Sequence, residues 1–249
     1  MLEDSLELHS GIPAIDIAFQ PIFDIYTSRV RFYEALVRGP NGESAASVLE
    51  QVPPVLTMAF DQTVRFAAVE KAVRLGLLDT DAGLSINMNF ALDIMKPAAL
   101  DRFALTLSRL GLHNWRIIFE LTENTRLDPV EIAAVVSRYS ANGFSTALDD
   151  FGSGYSGLIT LAEVPTDFVK LDMELIQDID TSPNRAKIVD GIVRVLESLG
   201  RRIVAEGVET PAELHSVRRL GIRKVQGFLL GKPSLTELQK EPLIHTLVA

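Results

Sequence analysis

Two adjacent carboxylates, Asp149-Asp150, end an apolar stretch and run straight into the glycine-rich segment Phe151-Gly152-Ser153-Gly154-Tyr155-Ser156-Gly157. Neighbouring anions repel each other. Unless both point into water, a cation belongs between them, and a metal ion is the ordinary choice. The same kind of residue recurs along the chain: Glu34, Asn87, Glu120, Lys170 with Asp172, Glu206 and Gln226 each close or follow a short apolar run. Taken singly, such an acid is most often a solvated loop residue or a helix cap. The recurrence is what argues for a site. If these run ends converge, Glu34, Glu120, Asp149, Asp150 and Glu206 share one pocket with two carboxamides and a lysine. Confined anions in that number call for two divalent cations, the arrangement of a two-metal hydrolase. There is no cysteine, and the histidines at 9, 113, 215 and 245 show no ligand spacing. The ligands are then oxygens, which favours Mg²⁺ or Mn²⁺ over zinc.

The elements that must position these residues follow from periodicity. Ala18–Asp24 and Val30–Arg38 read as strands joined by a link short enough for a hairpin, so the chain opens with an antiparallel pair. Helices and strands then alternate. Helices are predicted over Val55–Leu75, stopping at Gly76, and over Pro97–Leu110, stopping at Gly111. Others follow over Pro129–Tyr139 with Asp128 as N-cap, near Leu158–Ala162, over Arg185–Leu199 and over Pro211–Leu220. Strands fall at Leu84–Met88, Trp115–Leu121, the run into Asp149, Phe168–Leu171, Arg202–Glu206 and Lys224–Gln226. Eight strands in one domain of this length predict an α/β fold, a (β/α)8 TIM-like barrel modified by its antiparallel first strand. An open doubly wound sheet is the alternative. In a barrel the strand ends meet on one face, where active sites sit.

The remaining residues take plainer readings. Met88, Met95, Trp115 and the phenylalanines are expected in the core. Arg65, Lys71 and Arg74 read as one solvated helix face. Glu123 and Glu209, three residues after Glu120 and Glu206, read as acids near helix starts. Gly152 to Gly157 fits G-x-G-x-x-G, with Asp172 20 residues beyond. Two carboxylates immediately before the glycines would repel a pyrophosphate, however, and the motif sits at the fifth strand instead of opening the fold. A mobile glycine loop beside the metals fits better.

Residues 1–14 are expected to form an extension or linker and 15–249 one domain. Met1 to His9 lacks a basic region, no apolar run reaches the length of a membrane span, and a cytoplasmic setting with no membrane contact is expected. A net charge of −9 argues against a broad nucleic-acid surface. A phosphate ligand would need metals or local Arg and Lys.

Set in order, these motifs closely resemble the EAL-domain cyclic-di-GMP phosphodiesterases of bacteria. Glu34-Ala35-Leu36 lies within Glu-x-Leu-x-Arg ending at Arg38. Gln20-Pro21-Ile22, Glu120-Leu121-Thr122-Glu123, Asp149-Asp150-Phe151-Gly152, Lys170-Leu171-Asp172, Ala205-Glu206-Gly207-Val208-Glu209 and Gln226-Gly227-Phe228 also match. The resemblance implies Mg²⁺- or Mn²⁺-dependent hydrolysis of cyclic di-GMP to linear 5′-pGpG, with a non-catalytic cyclic-di-GMP receptor as the alternative. It implies Glu34, Asn87, Glu120, Asp149, Asp150 and Glu206 as metal ligands, with Asp149 bridging two ions. Lys170 and Glu206 are implied in catalysis, with Glu123 anchoring the glycine loop. Gln20, Leu36, Arg38, Asp172 and Gln226 are implied on the substrate side. It further implies a homodimer and regulation by an upstream sensor domain or partner protein. The sequence departs from the family at Met88-Asn89, in the glycine loop at Ser153 and Gly157, and over Ser44–Met58. The last lies near the expected guanine pocket.

Overall fold

The computed structural model describes residues 11–88, 97–122, 129–154 and 157–243. Eight strands close into a barrel in sequence order: β1 (Asp16–Asp24), β2 (Arg29–Arg38), β3 (Gly83–Asn87), β4 (Ile117–Thr122), β5 (Ser145–Phe151), β6 (Phe168–Leu171), β7 (Arg202–Ala205) and β8 (Lys224–Val225). β1 runs antiparallel to both β2 and β8, and every other neighbouring pair is parallel. The sequence expectation of a modified barrel with an antiparallel first strand is met, and the open-sheet alternative is not.

Helices cover the barrel: α1 (Ala45–Leu49), α2 (Thr57–Arg74), α3 (Pro97–Arg109), α4 (Pro129–Ala141), α5 (Gly157–Glu163), α6 (Met173–Ile176), α7 (Pro183–Ser198) and α8 (Pro211–Arg219). The chain leaves α2 through Gly76, whose φ of 92° suits the left-handed stop that ends many helices. α8 starts on a reciprocal cap in which Thr210 accepts from the Glu213 N–H while Glu213 reaches back to the Thr210 N–H. Asp128, the expected cap of α4, lies outside the described residues.

Two apolar shells sit between strands and helices. One is centred on Phe60, Phe103, Phe119, Tyr139 and Phe144, the other on Phe151, Val169, Leu171, Val189 and Val225. A third, smaller cluster of Ile22, Ile118, Ala147, Phe168 and Val204, with Phe32 packed on it, fills the lower barrel interior. Strand alternation places the residue two positions on from Phe168, Lys170, one layer higher. The site therefore stands on an apolar floor.

Three sequence expectations need correction. Arg65 and Lys71 are buried, not solvated: the Arg65 Nε donates to the Asp61 carbonyl, and the Lys71 ammonium reaches the Asp16 carboxylate. Long cationic side chains can bury their stems when the head finds a partner. Trp115 is 64% exposed, because the residues before β4 form a turn and the strand starts only at Ile117. Phe228 is 49% exposed, since it stands on the wall of the active-face cavity. The Ser44–Met58 stretch holds a helix, α1, capped by Ser44. Met95 falls outside the described residues.

Candidate active site

Side chains from β1 to β6 and from the residues just after β7 and β8 meet at one mouth of the barrel. They line a cavity of about 380 Å³ that includes Gln20, Glu34, Asn87, Asp149, Asp150 and Lys170. Glu206, Asp172, Glu209 and Gln226 also line it. Glu120 lies beneath, fully buried. Backbone register accounts for the convergence. Gln20 stands opposite Glu34 across the β1–β2 pair, and Asn87 stands opposite Glu120 across β3–β4.

β5 supplies two adjacent acids through a defect. Successive residues of a regular strand face opposite sides, so Asp149 and Asp150 could not both reach the cavity. Pairing with β6 runs from Leu148↔Val169 to Phe151↔Leu171, so β5 carries one residue more than its partner over this step. Asp150 has φ 56°. The bulge with one left-handed residue turns both carboxylates inward and returns Phe151 to the outer shell. Gly152 follows at φ 104°, and a Cβ there would meet Leu175 Cδ1 at 2.4 Å. The glycine thus serves the close packing of the turn on α6. Its neighbour Ser153 donates through Oγ to the Asp150 carbonyl at 2.9 Å.

Lys170 is the central cation. Its Nζ lies 2.8 Å from Glu206 Oε1, 2.9 Å from Asp149 Oδ1, 3.0 Å from Glu120 Oε1 and 3.4 Å from Glu34 Oε1. Burial alone would lower its pKa. The charges of Asp149, Glu120, Glu206 and Glu34 outweigh that and hold the ammonium well above the ordinary lysine value. Five carboxylates are too many for one ammonium. Burial pushes Glu120 and Glu206 well above the usual carboxylate range, with Asp149 and Glu34 adding to it against the pull of Lys170. Burial and then the Asp149 charge raise Asp150 to about 6.

The donor set fits divalent cations. One oxygen each from Glu34, Glu120 and Asp149 lie within 4.8 Å of one another, and so do oxygens of Asp149, Asp150 and Glu206. Asp149 belongs to both groups. Asn87 donates from Nδ2 to Glu120 Oε2 and to Asp149 Oδ2, each at 3.3 Å, while its Oδ1 is buried with no hydrogen-bond partner. A buried acceptor left open among carboxylates suits a cation and not another anion.

Other residues singled out from the sequence take distinct places. Gln226 Nε2 donates to Gln20 Oε1 at 3.0 Å and also to Glu34 Oε2, and Gln20 Nε2 donates to the Gly231 carbonyl at 3.1 Å. Asp172 caps α6, accepting from the Glu174 N–H at 2.7 Å, while lining the cavity. Glu209 is exposed on the cavity wall, one residue before the α8 cap. Arg38 ends β2 with its guanidinium on the Val37 carbonyl, and Leu36 is half-buried on the same strand. Glu123 lies outside the described residues. One interior residue escaped the sequence reading. Ser85 donates through Oγ to Glu120 Oε1 at 2.7 Å. The signal available was its position two residues before Asn87, on the same strand face.

The family model for the EAL domain matches residues 6–233. The chain belongs to the EAL domain family. A standalone EAL protein of Vibrio cholerae O395, solved with c-di-GMP bound, superposes with a TM-score of 0.86 at 38% identity, covering 95% of this chain and 97% of that one. BlrP1 of Klebsiella pneumoniae, solved as a manganese/cy-diGMP complex, gives a TM-score of 0.84 at 32% identity over 95% of this chain and 59% of its own. The cyclic di-GMP phosphodiesterase PdeR of Escherichia coli is 32% identical over 227 residues, 87% of this chain and 33% of PdeR. The chain spans between about three tenths and just over half of the length of the curated relatives it matches along most of its own. Among the described residues of this EAL domain, no helix is long and apolar enough to cross a membrane.

Proposed function

We propose that this chain is a metal-dependent phosphodiesterase that hydrolyses cyclic di-GMP to linear 5′-pGpG. The observation that carries the reading is the unbroken oxygen-donor set around Lys170. Glu34, Asn87, Glu120 and Asp149 would hold one Mg²⁺ or Mn²⁺, and Asp149, Asp150 and Glu206 a second. When bound, such ions supply an activated water and positive charge to a phosphodiester that otherwise resists attack. The relatives above, solved with the dinucleotide and with manganese, support both ligand and metal.

The chain's own residues do the rest. Lys170 stays protonated and donates toward the entering water and the charge that builds on the phosphoryl oxygens. Gln20 and Gln226, linked to each other and to Glu34, hold the cavity wall opposite. Arg38 at the end of β2 offers a guanidinium to a phosphate or a guanine edge. Glu123, matched by position in the family motif, ties the glycine loop to the site. Pairing of two copies, and control by an upstream sensor domain or a partner protein, belong to the same proposal. So do a cytoplasmic setting and the boundary between a 1–14 extension and the 15–249 domain.

The test is turnover of cyclic di-GMP by the purified chain with Mg²⁺ or Mn²⁺, read by chromatography of the product. The expected product is pGpG, and its formation should stop in chelator. No pGpG with either metal overturns the reading. Tight dinucleotide binding without turnover in that assay replaces it with the receptor alternative.

A further inference from the structure

Ser85 and Asn87 are two residues apart on β3, so both side chains enter the barrel. Ser85 is 1% exposed and Glu120 0%. The two oxygens of Glu120 are held differently. Oε1 accepts the Ser85 hydroxyl at 2.7 Å and lies 3.0 Å from Lys170 Nζ. Oε2 accepts from Asn87 Nδ2 at 3.3 Å. The terminal torsion of a glutamate is broad, so strand geometry alone does not fix the plane of its carboxylate. A hydroxyl from β3 and an ammonium from β6 both hold one oxygen and so set that plane.

We propose that Ser85 is a positioning residue for Glu120. It holds Oε1 on the Lys170 side and so turns Oε2 toward Asn87 and Asp149, where the metal site proposed above would use it. The inference rests on that metal reading. It does not involve charge: Ser85 is neutral, and replacing it with alanine leaves every carboxylate and Lys170 in place. Hydrogen-bond partners that orient a ligand set its rotamer and basicity, and their loss typically costs about 10–100-fold in metal affinity or activity.

The experiment titrates Mn²⁺ into the metal-free chain by calorimetry, without substrate, for wild type, Ser85→Ala and Ser85→Thr. Steady-state kinetics with cyclic di-GMP run alongside. Ser85→Ala should weaken Mn²⁺ binding about tenfold and lower kcat, with KM changed by less than about threefold. Ser85→Thr, which keeps the hydroxyl, should restore both. In a Glu120→Gln background Ser85→Ala should cause no further loss of Mn²⁺ affinity, because Ser85 acts through Glu120. Mn²⁺ affinity of Ser85→Ala within about twofold of wild type overturns the proposal, being far smaller than an orienting partner is worth. An undiminished further loss in the Glu120→Gln background also overturns it, since Ser85 would then act by packing. A flat wild-type titration overturns the metal reading itself, and this inference with it.

Discussion

Lys170 decides how the site behaves at the level of single residues. It is buried, it touches four carboxylates, and those charges keep its ammonium protonated against the cost of burial. Under the proposed mechanism, removing it leaves the oxygen donors intact but takes away the donor aimed at the charge that would develop during hydrolysis. Lys170→Ala is therefore expected to lower kcat by about 10²–10³, the scale for a transition-state donor, with KM changed by less than about threefold. Steady-state kinetics at saturating Mn²⁺ check this. A loss confined to KM would move Lys170 from the chemistry to substrate binding. The lysine and the acids were legible from sequence because ionisable residues are rare inside a barrel, and each ends an apolar run. Ser85 was not, since a serine in a short strand is common: its place two residues before Asn87 gives its face, but only the structure shows its hydroxyl on Glu120.

At the level of elements, the β5 bulge matters most. Adjacent carboxylates in the sequence announced a cation site, but regular strand alternation would have sent one of them outward. The extra residue and the left-handed Asp150 resolve the conflict, and neither is visible in the sequence. Asparagine tolerates φ near 56° far better than alanine does. Asp150→Asn and Asp150→Ala both remove the carboxylate and should lose activity alike. Stability should separate them: alanine is expected to cost about 1 kcal/mol more than asparagine, the scale of left-handed strain in a residue with a Cβ. Urea unfolding in chelator measures the difference, and equal midpoints with equal slopes would sink the strain argument. The long helices and the strands were legible because their apolar periods persist. α1 and α6, of five and four residues, were not, because so few positions define no period. The buried Lys71 was misread for a related reason. Charge on a helix marks a solvated face only when no partner such as Asp16 comes in from another element.

For the molecule as a whole, the barrel is joined unequally. β1 pairs with β2 over nine register positions but with β8 over only two, Phe23↔Val225 and Asp24↔Lys224. The Phe19–Ser234 bridge and the Gln20–Gln226 bond reinforce that seam from the active face. The site lies across the same circle of strands. Glu34 comes from β2, Glu120 from β4, Asp149 from β5, Lys170 from β6, and Glu206 follows β7. Ions shared among these carboxylates would tie together strands far apart in sequence, and the unfolded chain could not assemble such a set. Binding to the folded state alone stabilises it by RT ln(1 + [L]/Kd), about 2.7 kcal/mol at a hundredfold excess over Kd. For a domain of this size each kcal/mol moves Tm by about 2–4 °C. Mn²⁺ at that excess should therefore raise the midpoint by about 5–10 °C, and chelator should reverse it. Asp149→Ala removes the carboxylate common to both donor groups, so its midpoint should barely respond to Mn²⁺ even though the barrel remains folded. Differential scanning of the two proteins with and without Mn²⁺ makes the comparison. A full-sized shift in Asp149→Ala would place the ion elsewhere and break the link between the carboxylate ring and the stability of the barrel.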